Sequence, residues 1–204
     1  ESLSENSFTF ESINFSTMSL DSILDVIYLL PKASKKLLKE HLEEVQFSKG
    51  TLLLQQHRIE KHIYFIKKGM VRAYAPTPDQ EVTFWFGAEG ATAVSMKSYV
   101  SNEPSYENIE LLEDCSFYKI NADVLQKLYQ TDIEIANWGR KFAENELIKS
   151  EERLISLQFK SAKERYLELI THHPGLLQRV ALRHLASYLG ITQVSLSRIR
   201  ADIK

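Results

Sequence analysis

Cysteine is nearly missing from this chain: one thiol, Cys115, stands among 204 residues. A lone thiol cannot close an internal disulfide, complete a four-thiolate zinc site or hold an iron–sulfur cluster unaided, so a reducing, cytoplasmic setting is expected. Long apolar runs are missing too. Stretches such as residues 26–30 and 83–86 fall far short of the ~18 residues a membrane-spanning helix requires. No basic segment followed by an apolar core and a small-residue cleavage site opens the sequence, so export is not expected. No repeat with a period of roughly 20–50 residues is present, which argues against a solenoid or propeller. With 44% hydrophobic and 25% charged residues, the composition excludes disorder and collagen-like fibre and fits one large domain or two small ones.

The formal net charge of −2 conceals an asymmetry. From Gln158 onward eight basic residues stand against three acidic ones, a net +5, which leaves −7 for the rest. A short basic tail on an acidic body fits a chain of which only the tail approaches a polyphosphate.

Residues 1–15 show no sustained period and read as a loosely packed arm. Ile23, Leu24, Ile27 and Leu30 then fall on one face of a helix over residues 20–30, ended by Pro31, and Ser34 is expected to cap a second helix running to Glu44. From Val45 to Ile120 the period changes to short β-rich runs at 51–54, 62–66, 70–75, 81–86 and 115–120, separated by turns at Gly50, Gly69, 76–79 and 87–90. Residues 131–134, Thr-Asp-Ile-Glu, read as a capping box that opens a helix to about Leu157, ~40 Å long. Its stripe begins with Ile135, Trp138 and Phe142 and shifts past Asn145 to Leu147, Ile148, Leu154 and Ile155. The same helix of a twin subunit would cover that stripe, so a homodimer is expected.

The strongest local pattern spans residues 185–199. Leu185 and Leu189 face inward from one short helix, and Leu196 and Ile199 from the next. Ala186 is small enough for a close crossing, Gly190 permits a left-handed turn, Ile191 plugs that turn, and Thr192 can cap the second helix. This is a helix-turn-helix pattern. Its outward stripe carries Gln193, Val194, Ser197 and Arg198. The planar fork of Arg198 matches the two acceptors of guanine in the major groove, Ser197 and Gln193 can add hydrogen bonds, and Val194 offers an apolar contact. Thr192, Ser195 and Arg200 are placed to hold phosphates, which fixes register without reading sequence.

At this point nearly the whole chain, from about Ser16, resembles the bacterial Crp/Fnr family of transcriptional regulators. Residues 62–72, His-Ile-Tyr-Phe-Ile-Lys-Lys-Gly-Met-Val-Arg, resemble the strand, glycine-turn, strand signature of that family's cyclic-nucleotide-binding-type β-roll. Gly50 and the Leu112-Glu113-Asp114-Cys115 approach to the last strand fit as well. Residues 161–166 followed by the helix-turn-helix resemble the start of its DNA-binding domain, with Ser197-Arg198 matching its base-reading pair. The resemblance implies an α+β fold: a jelly-roll-like β-roll sensor over residues 16–130, a dimerisation helix over 131–157, and a winged-helix, helix-turn-helix domain over 158–204. It implies a homodimer on a palindromic stretch of double-stranded DNA, with half-sites ~34 Å apart, RNA polymerase as a further partner, and no enzymatic activity.

The chain departs from the family where the cyclic nucleotide would sit. Gly87 and Gly90 remain, but the Glu that takes the ribose is absent from residues 91–96, and Ser105-Tyr106 stands where an Arg-Ser/Thr pair belongs. No arginine occurs between Arg72 and Arg140. An effector pocket built from Gly87, Gly90, Ser95, Lys97, Ser105 and Tyr106 has no guanidinium for a phosphate, so cyclic AMP is not expected to bind in the family's manner, and the small-molecule effector is either unidentified or absent. One cysteine excludes the family's iron–sulfur sensor, and Cys115 reads as a small buried residue. His41, His57 and His62 form no ligand pair for a haem or metal. A cupin-like enzyme would need clustered metal ligands, and residues 45–120 hold no His-x-His pair. The usual wing strands have no obvious place, because the recognition helix lies at the end of the sequence. A protein-interaction module retaining the helix-turn-helix as scaffold is the other alternative.

Overall fold

The computed structural model describes residues 17–203. The arm at residues 1–15, Ser16 and Lys204 lie outside them. Two short helices come first, α1 (Leu20–Ile27) and α2 (Lys32–Lys39). They are followed by β1 (Glu43–Phe47), β2 (Leu52–Leu54), β3 (His62–Lys68), β4 (Val71–Pro76), β5 (Glu81–Gly87), β6 (Thr92–Ala93), α3 (Met96–Ser101), β7 (Asn108–Leu111) and β8 (Cys115–Asn121). The rest is helical: α4 (Ala122–Thr131), α5 (Ile133–Phe159), α6 (Ala162–His172), α7 (Pro174–Arg179), α8 (Leu182–Tyr188) and α9 (Gln193–Asp202).

The strands form two antiparallel four-stranded sheets, ordered β1-β8-β3-β6 and β2-β7-β4-β5. β3 shows why its sequence reads as an unbroken apolar run. Tyr64 and Ile66 face the space between the sheets and meet Val71, Ile109, Leu111 and Phe117, while Ile63 and Phe65 face a helical layer with Ile23, Leu24, Leu38 and Trp138. A strand covered on both faces has no polar side to show. The register Ile63↔Ile120 and Phe65↔Tyr118 pairs β3 with β8 along most of its length.

Two start signals differ from the sequence reading. Ser34 lies inside α2, 7% exposed, and Pro31 occupies the cap position. A proline just before the first turn is pre-set for helix entry and has no N–H to leave unpaired. That helix ends at Lys39, because residues 43–47 pair with β8 as an edge strand. Thr131 is the last residue of α4 and donates to Lys127 O at 3.1 Å, so the cap of α5 falls to Asp132, whose carboxylate accepts from Glu134 N at 2.9 Å and Ile135 N at 3.1 Å. A carboxylate outcompetes a hydroxyl at a helix N-terminus because it adds charge complementary to the dipole.

α5 has 27 residues, ~40 Å of helix, and its two halves differ. Ile135 and Trp138 are 0% exposed within their own subunit, and Trp138 Nε1 donates to Leu24 O at 3.1 Å. Phe142 stacks on Trp138 with ring centroids 6.2 Å apart. The expectation that Ile135 and Trp138 face a twin is therefore corrected: α1, α2 and α4 cover that end of the helix. Gly139 lets α4 approach, since a Cβ there would lie 2.5 Å from the Tyr129 ring. Beyond it Leu147, Ile148, Leu154, Ile155 and Phe159 stand 48–79% exposed.

Candidate nucleic-acid interface

The C-terminal helices share one apolar cluster of Tyr166, Leu169, Val180, Leu185, Ala186, Leu189 and Leu196, to which Met70 from the β3–β4 turn and Phe86 of β5 are added. Ser161 and Glu164 form a reciprocal capping box at the start of α6: Glu164 N donates to Ser161 Oγ at 3.3 Å and Ser161 N to Glu164 Oε2 at 2.7 Å. This Ser-x-x-Glu signal is a local one, legible in the sequence.

The residues expected to build the turn do so. Gly190 has φ +69°, a left-handed conformation that glycine adopts without strain. Ile191 N donates to Ala186 O at 3.0 Å, closing the turn. Leu185, Ala186, Leu189 and Leu196 are at most 2% exposed, and Ile191 and Ile199 pack partly buried against the cluster. Thr192 Oγ1 accepts from Ser195 N at 3.1 Å, which caps α9.

On the opposite face of α9, Gln193, Val194, Ser197 and Arg198 are all exposed, Val194 by 61%. The Arg198 side chain makes no hydrogen bond or ion pair to any other described residue. Arg200 is exposed beside it. The hydroxyls of Thr192 and Ser195 lie 2.9 Å apart, so one donates to the other while both remain near the helix start. An exposed helix face with a free guanidinium, next to amides and hydroxyls at a helix N-terminus, can hydrogen-bond base edges and phosphate oxygens.

Part of the tail's basic excess is used inside the fold. Arg165 donates to Leu189 O at 2.8 Å and Lys160 O at 2.5 Å, tying the end of α8 to the start of α6. Lys160 pairs with Glu168, and Arg179 with Glu89 and Glu113. Lys163, Arg183, Arg198 and Arg200 remain on the surface. The +5 of the tail thus overstates what a partner meets.

The six residues expected to line an effector pocket are largely engaged elsewhere, and neither open surface cavity, beside α2 or beside β1 and β8, is lined by them. Ser95, 1% exposed, caps α3 by accepting from Ser98 N, and Ser105, 2% exposed, donates to Glu107 O at 2.9 Å or Gln55 O at 3.1 Å. Lys97 pairs with Glu103 at 3.1 Å. Gly87 is filled over by the Trp85 ring and Ile66, Gly90 has φ +85°, and Tyr106 points outward at 56% exposure against Phe84. Two open surface cavities, of about 410 and 340 Å³, lie elsewhere, one beside α2 and one beside β1 and β8. Cys115 is 3% exposed, and burial, with the Glu113 charge, pushes its thiol up to about 12, which leaves no reactive thiolate near neutral pH. His62 bonds Glu60 at 3.0 Å, and among the described residues no three His, Cys, Asp or Glu side chains gather as a metal site. No strand follows β8 among the described residues, so no wing is seen up to Ile203. Among them no helix is long and apolar enough to cross a membrane.

Residues 44–132 match the family model of the cyclic nucleotide-binding domain. No curated protein matches the chain by sequence. Solved structures with the same fold include FixK2 from Bradyrhizobium japonicum, at TM-score 0.65 and 21% identity over 79% of this chain and 84% of that one. The c-di-GMP responsive global regulator CLP of Xanthomonas campestris aligns at TM-score 0.67 and 16% identity, over 85% and 91% of the two chains. A protein from Eubacterium rectale described as a transcriptional regulator of the Crp/Fnr family aligns at TM-score 0.67 and 16% identity, over 83% and 82%.

Proposed function

We propose that this chain, which joins a cyclic nucleotide-binding domain to the fold of the Crp/Fnr transcriptional regulators, is a dimeric, sequence-specific DNA-binding transcriptional regulator. The observation that carries the reading is α9: a helix braced by a buried inner face, whose outer face offers Gln193, Val194, Ser197 and Arg198 to the surface with the Arg198 guanidinium free. Arg198 reads guanine, Ser197, Gln193 and Val194 add base contacts, and Thr192, Ser195 and Arg200 hold phosphates. Dimerisation uses the distal half of α5, where Leu147, Ile148, Leu154, Ile155 and Phe159 are exposed in one subunit. Burying them against a twin removes from water a patch that a monomer would leave open. The molecule works in the cytoplasm, on DNA and with RNA polymerase, and not as an enzyme. Its effector is not cyclic AMP held in the manner of the nucleotide-binding relatives, since Ser95, Lys97 and Ser105 already have partners and residues 87–106 include no arginine.

Arg198→Ala tests the reading. Site-selective binding should weaken by ~1–3 kcal/mol at the position Arg198 contacts, while the slope of affinity against salt changes by no more than about one phosphate contact. An unchanged site preference would remove Arg198 from the base-reading role.

A further inference from the structure

The helix-turn-helix does not hang from α5 alone. α8 lies along β5, the edge strand of its sheet. The Ser187 hydroxyl accepts from Thr83 N at 2.9 Å and donates to Glu81 O at 2.9 Å, so one helix side chain satisfies two backbone groups of an open edge. Phe86 and Tyr188 pack beside it with ring centroids 5.2 Å apart.

Behind that seam sits Arg72 of β4, 2% exposed. Its Nη2 lies 2.6 Å from Glu81 Oε2, its Nε 2.8 Å from Glu110 Oε1, and its guanidinium 4.1 Å over the Tyr74 ring. Two carboxylates already balance its charge. Its remaining nitrogen, Nη1, donates to His184 Nδ1 of α8 at 2.6 Å and reaches Thr83 Oγ1 at 3.3 Å. An arginine has no lone pair to offer, so Nδ1 must be the acceptor and the ring proton sits on Nε2. Arg183 Nε, 3.3 Å from Nε2, then faces a donor and adds no bond of its own. Burial and the two neighbouring arginines hold the imidazole neutral, with its pKa lowered to about 4.

We infer that Arg72 is a positioning residue for DNA reading: from the sensor sheet it holds His184 and, with Ser187 seated on β5, fixes the orientation of α8 and therefore of α9. On this arrangement the separation of half-sites that a dimer accepts is set by the β4–β5 hairpin as well as by the α5–α6 link. The inference rests on the DNA-reading role proposed above. Two rigidly held reading helices act as a bivalent binder whose second contact is made at high effective concentration. Loosening one anchor lowers that concentration without altering a base contact.

The test uses the full chain with Arg72→Met and, separately, His184→Leu. Each is titrated against a duplex with one half-site, a palindrome at the spacing the unmodified chain prefers, and palindromes with base pairs added or removed between the halves. Single half-site binding should stay within about twofold, the preferred palindrome should weaken about tenfold or more, and discrimination between spacings should shrink. His184→Gln, whose side-chain oxygen can accept from Arg72, should keep the original spacing profile. Unchanged spacing discrimination in both variants would overturn the inference, and so would half-site and palindrome affinity falling in step, which marks a merely structural role. An unmodified chain that binds none of the duplexes would instead sink the DNA-reading proposal itself.

Discussion

Replacing Arg179 by Met isolates the second polar anchor between the β-roll and the C-terminal helices. Arg179 on α7 is 10% exposed in its side chain and Glu89 6%. Its Nη1 and Nη2 lie 2.8 and 2.9 Å from the two oxygens of Glu89, its Nε 3.2 Å from Glu113 Oε2, and Glu89 also accepts from Gly69 N at 2.9 Å. Burial alone would raise the Glu89 carboxyl, but the Arg179 guanidinium and the Gly69 N–H outweigh it and hold it below the ordinary carboxylate range. Arg179→Met strands a buried carboxylate, and removing one partner of a buried pair costs about 3–5 kcal/mol. For a chain of this size that corresponds to roughly 6–20 °C in melting temperature. The pH dependence has a definite sign. In the unmodified chain Glu89 has a depressed folded pKa, so its contribution is complete above the unfolded value of 4.5 and is lost as pH falls through the folded one. In the variant desolvation acts unopposed by the guanidinium, Glu89 takes up its proton at higher pH, and the stability gap to the unmodified chain narrows between pH 7 and 5. Urea midpoints followed by tryptophan fluorescence at both pH values measure this, and Arg179→Met/Glu89→Gln should recover part of the loss. A deficit under about 1 kcal/mol at pH 7, or a gap that does not change with pH, would refute the reasoning.

Gly139→Val would drive side-chain atoms into the Tyr129 ring, 2.5 Å from a built Cβ; an overpacked crossing of α4 and α5 should cost about 1–3 kcal/mol in a urea or thermal melt, and an unchanged melt would place the close approach elsewhere. Millimolar cyclic AMP or cyclic GMP should leave the melting temperature where it is, because a ligand that does not bind the folded chain cannot stabilise it by mass action. A rise of several degrees would show that the Ser95–Tyr106 region opens to a nucleotide after all.

The helix-turn-helix was legible because its signals are local. Ala186, Gly190 and the spacing of Leu185, Leu189, Leu196 and Ile199 lie within 15 residues, and the structure places every one of them as read. The β-roll was legible in part. β3, β4, β5 and β8 announce themselves by composition, whereas β6 has two residues and β7 begins at Asn108, between Glu107 and Glu110, and takes its identity from pairing with β2 and β4. Helix starts failed where two capping groups competed, as at Thr131 and Asp132. The apolar stripe on α5 is legible but its cover is not, because periodicity shows that Ile135 and Trp138 need cover but not whether a twin or α1 and α2 supplies it. The docking of α8 had no signal at all: Arg72 and His184 meet across 112 positions of sequence, and neither is an unusual residue where it stands.

Selection of bound duplexes from a random pool at low ionic strength, with the oligomeric state measured on the same sample, tests the central claim most directly. The account predicts a dimer that enriches an inverted pair of half-sites centred ~34 Å apart, with a guanine in each half whose preference disappears in Arg198→Ala. A monomer that enriches no sequence would contradict it.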